Sequence, residues 1–134
     1  MHSFPPMALH LARLATATFF AILFIQSGFD KLLNFKENLS WLVGHFKETF
    51  LSGLVPAMFI LVTFTEVAAG LCSGYGVVEM LIHHRHGIAF MGAAFSALSL
   101  LFLFFGQRIA KDYTGAVGLV PYFIVAILTI LILA

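Results

Sequence analysis

Two stretches of this sequence, Gly87 to Gln107 and Tyr113 to Ala134, contain no charged residue. A helix rises about 1.5 Å per residue, so each stretch is long enough to cross a hydrocarbon core of about 30 Å. A soluble bundle also buries apolar helices, but it needs polar outer faces, and these two segments have none. Leu51 to Ser73 is apolar apart from Glu66. Leu14 to Phe29 is free of charge and reaches spanning length when Leu9 to Arg13 is added. Composition closes the alternatives. Hydrophobic residues make up 61% of the 134 and charged residues 10%, against roughly 25% charged in an average soluble domain. The mean hydropathy is +1.04. So few charges cannot cover a water-soluble fold, and disorder needs the opposite composition. A net charge of +1 with no basic stripe excludes nucleic acid as a partner and leaves the lipid bilayer as the surroundings.

The expected fold is therefore all-α. It is an antiparallel bundle of four transmembrane helices, at approximately 9–29, 51–73, 87–107 and 113–134, forming one integral membrane domain over 1–134. The opening Met1-His2-Ser3-Phe4-Pro5-Pro6 has no Lys or Arg before Arg13, and Gly28-Phe29-Asp30-Lys31 is a poor cleavage site. The first apolar run thus reads as a retained helix, with Pro5 and Pro6 as an extended lead-in. Lys31, Lys36 and Lys47 fall in the first connection and Arg108 and Lys111 in the third, against Arg13 and Arg85 on the opposite side. That bias predicts cytoplasmic first and third connections and both termini outside. Ile109-Ala110-Lys111 is short enough for a tight helical hairpin, with Asp112 as the N-cap of the last helix.

The first connection is longer. Leu39, Leu42, Val43, Phe46 and Phe50 recur at three- and four-residue steps, flanked by Trp41 and His45. The spacing predicts an amphipathic interfacial helix over approximately 38–50. It packs on the ends of its own spans or, alternatively, closes over a site as a lid bearing Trp41 and His45.

Few residues are left to carry chemistry. A single cysteine, Cys72, excludes disulfide exchange within the chain. His2, His10, His45, His83, His84 and His86 all fall in the tail, in loops or near span ends, so a haem held between spans is not expected. In His83-His84-Arg85-His86 no carboxylate stands at a ligand spacing, which reads as an interfacial anchor and not a metal site. Thr63, Thr65, Ser96 and Ser99 are too few for a polar path across the membrane.

Glu66 stands out. An ionised side chain inside a span costs at least ~2.5 kcal/mol, so it faces inward and needs a partner. With the second span at 51–73, Glu66 lies two thirds of the way along. Arg13, about one turn into the first helix, is its expected partner in the outer half of the membrane. Their pairing fixes helix register or forms part of a site, and Ala68, Ala69 and Gly70 bring the helices close just beyond. A second polar group gathers on the cytoplasmic side: Gln26, Asp30, Lys31, Gln107, Arg108, Asp112 and Tyr113. These residues form end-of-helix ion pairs, or they frame a mouth for a quinone headgroup or another amphiphile.

Arg13 early in the first helix, Ser27-Gly28-Phe29-Asp30-Lys31-Leu32 at its end and Glu66-Val67-Ala68-Ala69-Gly70 in the second together resemble the DoxX family of small four-helix membrane proteins. Ala69-Gly70 replaces the two glycines of the family pattern. Asn38-Leu39-Ser40-Trp41-Leu42-Val43-Gly44-His45-Phe46, Lys111-Asp112-Tyr113 and Pro121-Tyr122-Phe123 extend the resemblance over nearly the whole chain. It implies a bundle in the bacterial cytoplasmic membrane. The function it implies is that of a non-catalytic membrane subunit or anchor of a quinone-linked redox complex. Its partners would be a membrane or redox protein or a second copy of the chain. The alternative is a binding protein or enzyme for a quinone or other lipophilic molecule held within the bundle. No catalytic residue and no resident cofactor is identified, a bound quinone aside. A cavity touching Glu66 favours a ligand; a solid core there favours the scaffold.

Overall fold

The computed structural model describes residues 5–134; His2 and the remainder of 1–4 lie outside the described residues. Those described form α1 (Pro6–Leu33), α2 (Phe35–His45), a 3-10 turn (Ser52–Leu54), α3 (Val55–His83), α4 (Gly87–Ile109) and α5 (Tyr113–Leu133). Four helical segments, Pro6–Leu33, Ser52–His83, Gly87–Ile109 and Tyr113–Leu133, are long and apolar enough to cross a membrane. This is the architecture of a multi-pass membrane protein.

Local sequence chemistry sets the helix ends. Pro5 is extended (φ −58°, ψ 142°) and Pro6 takes the first helical position, where its missing N–H costs nothing. Asn34 alone separates α1 from α2, its N–H donating back to Asp30 O at 2.9 Å. Pro56 stands in the first turn of α3, which then runs unbroken to His83. This helix starts four residues later and ends ten residues later than the expected second span at 51–73. His84 (φ 55°) and Lys111 (φ 62°) adopt the left-handed conformation that ends a helix. Asp112 accepts from Gly115 N at 3.1 Å, the expected N-cap of α5.

Helix α3 is central, packing extensively on α1 and α4, while α5 closes on α4 and meets α1 less closely. Glycine makes the approaches possible. A Cβ on Gly70 would lie 2.6 Å from Ile25 N across the α1–α3 crossing, and one on Gly92 would lie 2.7 Å from Ser73 N between α3 and α4. Phe20, Phe24, Ala69, Leu100 and Ala126 fill one buried cluster. Ala17, Met80, Ala89, Ala93 and Leu133 pack at the end where α1 starts and α5 finishes. At the opposite end Phe46, Leu51 and Val55 form a third cluster.

That third cluster explains α2. Leu39, Leu42 and Phe46 turn inward onto Val55, Met58 and Ile109, so the helix packs over the ends of the spans. Its bounds are 35–45 and not 38–50, because the chain turns through 46–51 into the 3-10 turn. Val43 and Phe50, expected on the apolar stripe, are exposed. Deeper in the bundle, the Thr63, Ser96 and Thr129 hydroxyls donate to the Phe59, Gly92 and Val125 carbonyls of their own helices. They satisfy themselves locally instead of forming a chain across the bundle.

Candidate functional site

The α1–α3 register decides which charges meet. Gly28 faces Val67, Ile25 faces Gly70, and Ala21 faces Gly74. Continued antiparallel, that register sets Arg13 opposite Ile82, roughly 24 Å along α3 from Glu66 at 1.5 Å per residue. The expected Arg13–Glu66 pair is therefore not formed. Arg13 Nε donates to Ile132 O at 2.6 Å, serving the last turn of α5. His86 Nδ1 lies 2.8 Å from Leu133 O in the same turn. The error came from the span boundary: because α3 starts at Val55 and ends at His83, Glu66 belongs to its first half, nearer the end that carries Lys31.

Glu66 is wholly buried. Lys31 Nζ contacts its Oε2 at 2.9 Å. The Ser27 hydroxyl donates to the same oxygen at 2.7 Å and accepts from Lys31 Nζ at 2.9 Å. Ser27 and Lys31 stand one helical turn apart on one face of α1. The three groups close a ring that pairs the buried charge, while Glu66 Oε1 has no hydrogen-bond partner within the protein. Lys31 carries a third N–H beyond the two engaged in this ring, and its side chain is 19% exposed.

Lys31 also lines a half-open cavity of about 270 Å³ between the end of α1, α2, the start of α3 and the end of α4. Lys31, Asn38, His45, Gln107 and Asp112 give it polar groups, while Val55, Met58, Phe59, Val62, Phe102 and Leu103 form an apolar floor. Trp41 and His45 of α2 line it as well, their rings stacked at 4.6 Å and 16°. The two residues expected on a lid thus stand over a cavity. Gln107 Oε1 is buried without a hydrogen-bond partner. The result is a pocket with donor and acceptor groups around an apolar body, able to hold and orient an amphiphile.

The expected cytoplasmic cluster is divided. Lys31, Gln107 and Asp112 converge on the cavity. Gln26 and Asp30 face outward from α1, and Asp30 accepts from Asn34 Nδ2 at 2.9 Å. Arg108 and Tyr113 form a separate exposed pair, the guanidinium 4.5 Å from the ring centroid. Glu66 is wholly buried and does not line the cavity, to which only Lys31 links it, so the core at Glu66 itself is of the solid kind expected of a scaffold. Sequence reasoning missed Ser27 and Asn38 as site residues. The i, i+4 spacing of Ser27 and Lys31 is a signal that could have found the first. Asn38, which donates to Asn34 O at 3.0 Å, needed the fold to bring it to the cavity. Among the described residues no three His, Cys, Asp or Glu side chains gather to hold a metal ion.

No protein-family model matches the chain, and neither a curated protein nor a solved structure matches it.

Proposed function

We propose that this chain is a DoxX-like membrane protein that holds a lipophilic molecule with a compact polar head, a quinone being the class the pocket chemistry suits. In this role it serves as the ligand-holding membrane component of a quinone-linked redox complex, with electron transfer left to a partner. The reading includes a bacterial cytoplasmic membrane, with α2 and the α4–α5 turn on the cytoplasmic side, where Lys31, Lys36, Lys47, Arg108 and Lys111 gather.

The observation that carries it is the cavity beneath α2. Its polar groups and apolar floor favour a ligand over a solid scaffold core at this end of the bundle. Pockets for drug-sized ligands measure about 300–1,000 Å³, so a cavity of about 270 Å³ suits a ring-sized head. Lys31 offers its third N–H to a carbonyl oxygen of a quinone, and stacked Trp41 and His45 offer aromatic surface to a flat ring.

The test uses the protein purified in native lipid, with extracted lipophiles identified by mass spectrometry and co-purifying proteins recorded. Trp41 is the sole tryptophan, so its fluorescence reports a quinone in the cavity by quenching. Titration with ubiquinone-0 is expected to quench Trp41 in the native protein and not in Leu103→Phe/Gly106→Leu, which fills the floor. Equal quenching in both, with no quinone in the extract, would falsify the reading.

A further inference from the structure

Next to the cavity, α3 and α4 form an open surface groove of about 490 Å³ lined by Met58, Leu61, Val62, Leu101, Phe102 and Phe105. All six are apolar. Met58, Val62 and Phe102 line the cavity as well, so the two spaces share a wall of three side chains. The other three lie at the surface, Leu61 48%, Leu101 51% and Phe105 47% exposed. The groove sits one to two turns inward from the start of α3 and the end of α4, on the flank of two helices long and apolar enough to cross a membrane.

We infer that this groove receives the hydrocarbon tail of the molecule whose head occupies the cavity, and that the ligand enters sideways from the bilayer between α3 and α4. The inference rests on the reading of the cavity as a head-group site, and it adds the class and route of the ligand. Three observations carry it. The cavity is too small for a head and a long tail together. The apolar groove lies directly behind Met58, Val62 and Phe102 of the apolar floor, away from the polar groups, so a tail reaches it where those three side chains part. And α2 covers the cavity on its other side, with Trp41, Leu42, His45 and Phe46 in the wall.

The head chemistry narrows the ligand further. The third Lys31 proton complements an uncharged head that accepts, as the carbonyl oxygens of a quinone do. A phosphate would meet Asp112 among the lining residues and is disfavoured. The occupant is an uncharged, tailed lipophile. A tail moving from lipid into the groove exchanges one apolar environment for another, so the groove sets the path of the tail more than the affinity. The decisive observable is therefore where the tail lies.

A decyl-benzoquinone bearing a diazirine at the tail end is photolysed with the protein in phosphatidylcholine nanodiscs. Adducts are mapped by mass spectrometry with and without excess decylubiquinone. Competed adducts are expected on the α3 and α4 segments around Leu61, Leu101 and Phe105. They are expected to be lost in Leu61→Phe/Leu101→Phe, which narrows the groove outside the cavity wall, while quenching of Trp41 by ubiquinone-0 is unchanged. Competed adducts on α1 or α5, or none while ubiquinone-0 still quenches Trp41, overturn the groove as the tail site and leave the cavity reading standing. Failure of both ubiquinone-0 and decylubiquinone to quench Trp41 overturns the two together.

Discussion

Lys31 and Glu66 meet at 2.9 Å across the α1–α3 interface, and Ser27 bridges them by bonding to both. Removing one partner of a buried pair leaves the other charge uncompensated, at a cost of about 3–5 kcal/mol, whereas removing both is often near neutral. Lys31→Met and Glu66→Leu are each expected to lower the unfolding free energy by that order, and the double variant to recover most of the loss. Denaturant titration in mixed micelles measures it. A double variant as unstable as the worse single one would show that the pair does more than neutralise itself.

Arg13 belongs to the opposite end of the bundle and is not coupled to Glu66. Arg13→Met removes the bond to Ile132 O and is expected to cost about 1.5–3 kcal/mol, the range for hydrogen bonds of charged donors. Combined with Glu66→Gln its effect should add within ~0.5 kcal/mol, while Lys31→Met with Glu66→Gln should not. A coupling above ~1 kcal/mol between Arg13 and Glu66 would contradict the register described here.

Two glycines of the same chain respond in opposite directions to alanine. A Cβ on Gly70 meets the α1 backbone at 2.6 Å, so Gly70→Ala should cost about 1–3 kcal/mol through overpacking. Gly44 lies in α2 with nothing within 4 Å of a built Cβ. Gly44→Ala should therefore raise stability by about 0.5–1 kcal/mol through helix propensity. Thermal unfolding of the two variants, followed by circular dichroism, gives the sign of each.

The proposed orientation can be read by cysteine accessibility in a Cys72→Ala background, since Cys72 is the only native thiol. His84→Cys lies in the exposed α3–α4 turn and Lys111→Cys in the exposed α4–α5 turn. A membrane-impermeant maleimide applied to intact spheroplasts should label the first, and the second only after permeabilisation. The reverse pattern would place both termini in the cytoplasm.

Much of the fold was legible because membrane spans announce themselves locally. Uncharged runs marked α4 and α5 almost to the residue, and Asp112 before an apolar run marked a helix start. Pro56 announced the start of α3 in the same way, but an apolar run beginning at Leu51 masked it. The charges were harder. Lys31, Gln107 and Asp112 were grouped correctly at one end of the bundle, as were Gln26 and Asp30. Yet which of them face inward depends on helix rotation, which packing against neighbours decides. Trp41 and His45 stood out in the sequence because they flank the apolar stripe of the first connection; that their rings stack and line the cavity came from the fold.

The sequence by itself determined a bundle of four apolar helices, because an uncharged run of spanning length leaves the chain few other ways to satisfy its backbone in lipid. It also determined that Glu66 must be buried and partnered. The tertiary structure alone decided who the partner is. A helix that starts four residues later and ends ten residues later than expected, and a register set by Gly28 and Gly70 against α1–α3 backbone and side chains, carried Glu66 away from Arg13 and onto Lys31. Close packing at small residues is a three-dimensional fit, so neither hydropathy nor charge counting along the chain can supply it. The cavity beneath α2 arose the same way, from where three helices and a connection happen to leave space.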